Sequence, residues 1–161
     1  MRVGDAMPDA ADGLRRPTQI LGFAGLLPFA GGALAMWLSV TLDSQPFAQS
    51  LVSTALLGYG AVIISFLGAT QWGRALTRPG AIQHPWLVMG YAVAPSLVGW
   101  ASLLIPVNLA YPIQALALLA TLFVDRGMSG HTFPAWYFAL RLRLTVGGIG
   151  FLSVAWLALL R

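Results

Sequence analysis

Five apolar runs, each close to the length that a helix needs to cross a bilayer, constrain this chain more than any other feature of its sequence. A transmembrane helix needs about 20 predominantly apolar residues. Hydrocarbon offers no partners to backbone groups, so only helices and closed barrels span it. The runs therefore predict an all-α membrane protein, a bundle of five transmembrane helices. The predicted spans are Gln19–Leu42, Ser50–Gln71, Pro85–Ile105, Val107–Val124 and Leu144–Leu160.

The composition excludes several other classes of protein. Of 161 residues, 58% are hydrophobic and 9% are charged, against about 25% charged residues in ordinary soluble domains. A soluble enzyme, a nucleic-acid-binding module and a disordered chain are excluded on this ground. The polar residues 1–18 are expected to form a flexible cytoplasmic tail. Residues 19–161 are expected to form a single five-helix transmembrane domain.

The arginines predict how the bundle is oriented. All nine basic residues are arginines. Eight fall in the tail, after the second span, or between the fourth and fifth spans, and only Arg161 falls on the other side. Cytoplasmic loops of membrane proteins carry the excess of positive residues. We therefore expect a cytoplasmic N-terminus, an external C-terminus, and contacts with lipid headgroups rather than with nucleic acid.

Small residues spaced four apart predict which helix faces pack together, because they let two backbones approach closely in lipid. Gly31, Ala35 and Ser39 form one such stripe in the first span. Ala61, Ser65 and Ala69 form another in the second span, flanked by Gly58 and Gly68. Leu56 is expected to face lipid instead.

Two prolines inside spans predict kinks. Pro28 and Pro95 lack an N–H and leave the carbonyls of Ala24 and Tyr91 without a helical partner. Such kinks either line a cavity or are ordinary bends in a packed bundle.

Gln114, a polar residue inside the fourth span, is expected to form hydrogen bonds across helices.

Polar and aromatic residues gather at the predicted cytoplasmic edge. An unpaired carboxylate near hydrocarbon is costly, so Asp125 is expected to pair with Arg74 or Arg141. The cluster is either an aromatic belt with topology arginines or a docking surface for an anionic headgroup or a partner protein. Its candidate binding residues are Gln71, Trp72, Arg74, Asp125, Arg126, Trp136, Tyr137, Arg141 and Arg143.

Catalytic and metal-binding patterns are missing from the sequence. His84 and His131, even taken with Asp125, lack the close spacing of metal ligands. The chain has no cysteine, and it carries no P-loop, nucleophile-elbow or zinc-protease motif. No charged residue falls near the middle of a predicted span, where ion pumps and proton relays carry them. We predict no catalytic residue, metal or cofactor.

Two longer stretches carry a resemblance to a known family. Residues 59–76 and 134–145, supported by 25–29, 94–100 and the pair Asp125 and Arg126, resemble an uncharacterised membrane family (domain of unknown function 3429) that includes transmembrane protein 69. The likeness covers roughly residues 20–160. It implies a bacterial inner membrane or, in eukaryotes, a mitochondrial membrane, and it supplies no activity.

Two hypotheses for the function follow. The first is a non-enzymatic multi-pass protein of the bacterial inner membrane, an accessory subunit or assembly factor of a larger respiratory or photosynthetic complex. The alternative is a small lipid-handling enzyme or transporter that uses the cytoplasmic Arg/Trp/Tyr face. The expected partners are the lipid bilayer and a larger integral membrane complex, without nucleic acid.

Overall fold

The protein is an all-helical membrane bundle, as the apolar runs predict. The computed structural model describes residues 10–42, 46–77, 84–129 and 135–161, and all regular secondary structure in these ranges is helical. Four segments are long and apolar enough to cross a membrane, namely Gly13–Thr41, Ala48–Thr77, Val107–Gly127 and Trp136–Leu159. The helices are α1 (Ala10–Ala24), α2 (Leu27–Thr41), α3 (Pro46–Thr77), α4 (Pro85–Ser102), α5 (Val107–Ser129) and α6 (Ala135–Leu159).

The first predicted span is broken into α1 and α2 at the place where Pro28 predicts a kink. α1 ends at Ala24, whose carbonyl would have met the missing N–H of Pro28. The Tyr59 hydroxyl on α3 donates a 2.9 Å hydrogen bond to the carbonyl of Gly25 in the intervening turn. α4, by contrast, continues as one helix through Pro95.

The chain becomes helical earlier than the polar composition of residues 1–18 indicates. α1 begins at Ala10 and includes half of the predicted flexible tail, while residues 1–9 lie outside the described ranges. Alanine, leucine and arginine are good helix formers whether or not they face lipid. The Thr18 hydroxyl also donates a 2.7 Å bond to the Leu14 carbonyl within this helix.

The contacts between helices place α4 beside α3, although α4 is not among the four candidate spans. α4 has 18 residues and packs antiparallel to α3. A Cβ added at Gly68 would lie 2.8 Å from the Ala92 carbonyl oxygen, and one added at Gly99 would lie 3.1 Å from that of Ala61. α4 therefore runs the length of the bundle beside α3.

The predicted inner faces are correct in part. Gly68 and Ala61 pack against α4 as described, whereas Ala69 is exposed. On α2, Ser39 is buried as predicted, but Gly31 is exposed and its neighbour Gly32 makes the close contact. Nothing lies within 4 Å of a Cβ added at Gly31, whereas one added at Gly32 would lie 2.8 Å from Leu56 Cδ1. Leu56 is therefore a core residue, 2% exposed, and its predicted lipid-facing position is wrong.

The core lies along α2, α3, α5 and α6. Its largest apolar members, Phe29, Met36, Ile64, Tyr111 and Leu152, are almost completely buried. Gln114 is also fully buried and donates to the Leu57 carbonyl (2.8 Å) and to the Ser102 hydroxyl (2.9 Å), which confirms the predicted cross-helix bonds.

Candidate functional site

The helices extend beyond the apolar runs, and this extension builds the polar site. α3 continues six residues past Gln71, α5 continues to Ser129, and α6 begins at Ala135. Residues that the sequence assigns to span ends and connections therefore lie on rigid helices. At 1.5 Å per residue, Arg141 lies about 9 Å along the axis from the start of α6.

A continuous chain of hydrogen bonds joins α3, α5 and α6 at this end of the bundle. Arg141 donates from Nη2 (2.6 Å) and Nε (3.1 Å) to Asp125 Oδ2. Gln71 Nε2 donates to Asp125 Oδ1 (2.7 Å), and Arg74 Nε donates to Gln71 Oε1 (2.8 Å). We call these four residues the polar network. The predicted pairing of Asp125 is confirmed, with Arg141 as its partner.

The polar network is buried, so its charged groups interact with one another rather than with water. Asp125 is 4% exposed, Arg141 is 5% exposed and Gln71 is fully buried. A carboxylate in such a place needs a cation and further hydrogen bonds to remain charged. Asp125 accepts three hydrogen bonds, one at Oδ1 from Gln71 and two at Oδ2 from Arg141.

Gln71 contributes through its amide, which has both a donor and an acceptor. Its nitrogen faces the carboxylate and its oxygen faces Arg74. A cationic side chain here would lack the acceptor for Arg74, and a carboxylate would lack the donor for Asp125. The glutamine therefore relays the interaction from a buried acid to a half-buried arginine.

The other predicted site residues surround the polar network, and Tyr137 lies within electrostatic range of Arg141 and Asp125. Trp72, Arg126 and Arg143 are exposed, and the Arg126 guanidinium lies 5.3 Å from the ring centroid of Phe138. Trp136 and Tyr137 are half-buried and pack edge to face with ring centroids 6.1 Å apart. The structure thus separates an internal set of polar residues from an exposed set.

Two polar residues near the polar network are absent from the predicted site. Tyr91 on α4 lies within electrostatic range of Asp125 and Arg141, and its buried hydroxyl has no hydrogen-bond partner in the described part of the chain. Thr145, one turn after Arg141 on α6, also has a buried hydroxyl without a partner there. The i, i+4 spacing of Arg141 and Thr145 is the sequence signal that could have found the second.

The opposite end of the bundle is held differently. Trp37 Nε1 on α2 donates to the Val154 carbonyl on α6 (3.0 Å), and the Arg161 guanidinium lies 4.3 Å from the Trp37 ring centroid. Near the polar network, Gly22 on α1 instead packs against Leu144 on α6. The start of α1 and Arg161 therefore lie at opposite ends of the bundle.

The described residues contain no group of three histidine, cysteine or acidic side chains that could hold a metal ion. His84 is exposed at the start of α4. His131 and Arg78 lie outside the described ranges. The polar network links the ends of α3, α5 and α6 through hydrogen bonds. Exposed arginine and tryptophan side chains lie around it.

Comparison with known proteins agrees with the sequence resemblance. The chain is 35% identical to transmembrane protein 69 of Xenopus tropicalis over 133 residues, covering 81% of this chain and 50% of the relative. It is 26% identical to transmembrane protein 69 of Mus musculus over 145 residues, covering 86% of this chain and 54% of the relative. The chain thus spans about half the length of these curated relatives. No solved structure matches it.

A family described as a protein of unknown function, DUF3429, matches residues 14–158. That range includes all four residues of the polar network and every predicted site residue. The chain is a multi-pass membrane protein that belongs to the DUF3429 family and is related to transmembrane protein 69.

Proposed function

We propose that the protein is a non-enzymatic accessory subunit or assembly factor of a larger complex in the bacterial inner membrane, respiratory or photosynthetic, with the polar network at its cytoplasmic end. The observation that carries the proposal is the separation of polar residues into two sets. The buried ionic groups bind one another, while Trp72, Arg126 and Arg143 are exposed around them.

The polar network supports a scaffolding role because it is rigid. Two of its members lie on the same helix, α3, and the others lie on α5 and α6. Fully satisfied buried polar networks fix the relative positions of the elements they join. Exposed side chains on helices that the polar network fixes lose little conformational entropy when a partner binds, so less of the binding free energy is spent on ordering them.

The exposed set has the chemistry of an interaction surface. Tryptophan and arginine are enriched among residues that dominate binding between proteins. Trp72 is 46% exposed, and Arg126 is positioned by the ring of Phe138. An acidic loop of a membrane-complex subunit is the partner that this combination of cations and an indole favours.

Co-purification with a matched control tests the proposal. We expect a larger membrane complex to co-purify in stoichiometric amounts in mild detergent, and the variant Trp72→Ala combined with Arg126→Ala to lose it. Trp100→Ala combined with Arg161→Ala removes the same residue types, and Trp100 lies near the opposite end of α4; this control should retain the complex. Equal retention in both variants, at unchanged unfolding temperature, would refute the docking role.

A further inference from the structure

Arg74 is the member of the polar network whose charge is not balanced within it. Its Nε donates to Gln71 Oε1 at 2.8 Å, and its guanidinium forms no other hydrogen bond to a described residue. A guanidinium has donors on all three nitrogens, so the two terminal nitrogens can still bind another acceptor. Asp125, the acid of the network, is already paired with Arg141. The polar network therefore carries one positive charge in excess, on a half-buried side chain.

Gln71 fixes the place of that charge. Its amide oxygen accepts from Arg74, its amide nitrogen donates to Asp125 at 2.7 Å, and its side chain is fully buried. The amide cannot turn over without losing both bonds, because its nitrogen would then face a donor and its oxygen an acceptor. Arg74 is thus held more firmly than a freely moving surface arginine, and it loses less conformational entropy when it binds a ligand.

The packing of α3 against α4 gives the depth of Arg74 in the membrane. Gly68 on α3 lies against Ala92 on the antiparallel α4. Arg74 follows Gly68 by six residues and Trp86 precedes Ala92 by six, so both lie at the same level. Trp86 is 91% exposed, and exposed tryptophans concentrate at the level of the lipid headgroups. Arg74 also lies three residues, about 4.5 Å, beyond the apolar run that ends at Gln71. Both observations place it in the headgroup layer.

The headgroup layer offers Arg74 one abundant anion, the phosphodiester group of a phospholipid. A phosphodiester carries a single negative charge, which equals the excess charge of the polar network. Its two unesterified oxygens can accept parallel hydrogen bonds from the planar guanidinium of an arginine. The acyl chains of such a lipid stay in the hydrocarbon layer, so the lipid keeps its ordinary depth when it binds.

Neighbouring cations distinguish between phospholipids. Arg126 is adjacent to Asp125 on α5, Arg143 follows Arg141 by two residues on α6, and both arginines are exposed. A choline or ethanolamine headgroup would bring a further cation among these arginines, whereas a glycerol headgroup brings none. Repulsion between like charges therefore favours a lipid with a net negative charge, such as phosphatidylglycerol.

We propose that Arg74 binds the phosphate group of one phosphatidylglycerol molecule, and that Gln71 positions the guanidinium for this contact. The polar network then has two roles, since it joins three helices and also holds a lipid at their edge. The proposal goes beyond the docking role. The lipid contact depends on Arg74 and Gln71, whereas docking depends on Trp72 and Arg126, so each can fail while the other holds.

Native mass spectrometry of the purified full-length protein in detergent counts bound lipids, with dioleoyl phosphatidylglycerol as the probe. We expect one molecule per chain to bind more tightly than the others, and more tightly than dioleoyl phosphatidylcholine. Arg74→Gln removes the charge and should weaken this binding about tenfold, as expected for the loss of a charged hydrogen-bonded pair. Arg143→Gln is the matched control, because it removes the same charge from an exposed position near the polar network. Its affinity should stay close to that of the parent.

Two further variants separate the position of the charge from its presence. Arg74→Lys keeps the charge but loses the planar guanidinium. Gln71→Met keeps Arg74 and a side chain of similar size but loses the amide that holds it. Each should weaken binding about threefold, measured below the unfolding temperature of that variant. Full affinity in both variants would overturn the positioning by Gln71.

Four other results would overturn the proposal. Equal loss in Arg74→Gln and Arg143→Gln would reduce the effect to a general attraction between charges. Equal affinity for phosphatidylcholine would remove the selectivity, and displacement of the lipid by inorganic phosphate would assign the site to a free anion. Unchanged lipid binding in Arg74→Gln, with loss of the co-purifying complex, would assign Arg74 to the protein partner instead.

Discussion

Asp125 and Arg141 form a buried ion pair in a protein whose surroundings are mostly hydrocarbon. Taking both charges out of water is unfavourable, and their mutual attraction with the bond from Gln71 offsets that cost. Such a pair contributes little net stability compared with apolar packing. Removing one partner is damaging, however, because the other charge is then left buried.

The two halves of this pair should therefore respond differently to substitution. Arg141→Leu leaves the Asp125 carboxylate with one hydrogen bond and should lower the free energy of unfolding by about 3 kcal/mol or more. Asp125→Asn leaves an arginine whose long side chain can move its charge towards water, so the loss should be about 1–2 kcal/mol. Unfolding of each variant in detergent measures the difference.

Arg143→Leu is the matched control for this comparison. Arg143 lies two residues after Arg141 on the same helix and is exposed, so its removal should change stability by no more than about 0.5 kcal/mol. A loss as large as that of Arg141→Leu would mean that arginine near the start of α6, rather than the ion pair, stabilises the fold.

The pairing of Asp125 could be predicted because it is the single acidic residue in the sequence after Asp43, and several arginines share its edge. The choice between Arg74 and Arg141 could not, because it depends on how α3 and α6 are rotated about their axes. The relay role of Gln71 depends on the same rotations. Thr145 escaped prediction because a threonine inside an apolar run satisfies its hydroxyl within its own helix in most cases, as Thr121 does.

At the scale of helices, the closest contact between α3 and α4 depends on glycine. A Cβ at Gly68 would meet the backbone oxygen of Ala92 at 2.8 Å and Pro95 Cγ at 3.0 Å, while nothing lies within 4 Å of a Cβ at Gly58 on the same helix. Backbone and proline atoms cannot turn aside as a flexible side chain can. The helices must therefore separate to admit a methyl group.

Gly68→Ala should consequently lower the unfolding temperature in detergent, with a loss of about 1–3 kcal/mol from overpacking. Gly58→Ala should be neutral or stabilising by up to about 1 kcal/mol, since alanine favours a helix over glycine. If Gly68→Ala and Gly58→Ala changed the stability by the same amount, whether they lowered it or raised it, the close packing of α3 on α4 would be contradicted.

Helix existence could be predicted from the apolar runs, but helix ends and rotations could not. Apolar runs report where a chain meets hydrocarbon, and α3, α5 and α6 continue past that boundary in polar sequence. On α2 the choice of Gly31 rather than Gly32 was wrong, although Ser39 of the same stripe is buried as predicted. The two glycines are adjacent and about 100° apart on a helix of 3.6 residues per turn. A stripe of small residues is compatible with either face.

At the scale of the whole molecule, the structure brings the arginines of α3, α5 and α6 to one end and Arg161 to the other. This distribution is what the positive-inside rule needs to give one strong orientation. A strong orientation of this kind also requires that α4, which is not among the four candidate spans, crosses the full membrane. If α4 failed to cross, both ends of the chain would face the same side.

Reporter fusions measure this arrangement directly. Alkaline phosphatase, active only outside the cytoplasm, is fused at Ser44, at Arg78, at Gly130 and after Arg161. A five-pass protein with the polar network at its cytoplasmic end predicts activity at Ser44 and after Arg161, and none at Arg78 and Gly130. Activity at Arg78 and Gly130 with none at Ser44 and after Arg161 would contradict the orientation. Activity at Gly130 with none after Arg161 would mean that α4 does not cross the membrane, and would contradict the five passes on which the account depends.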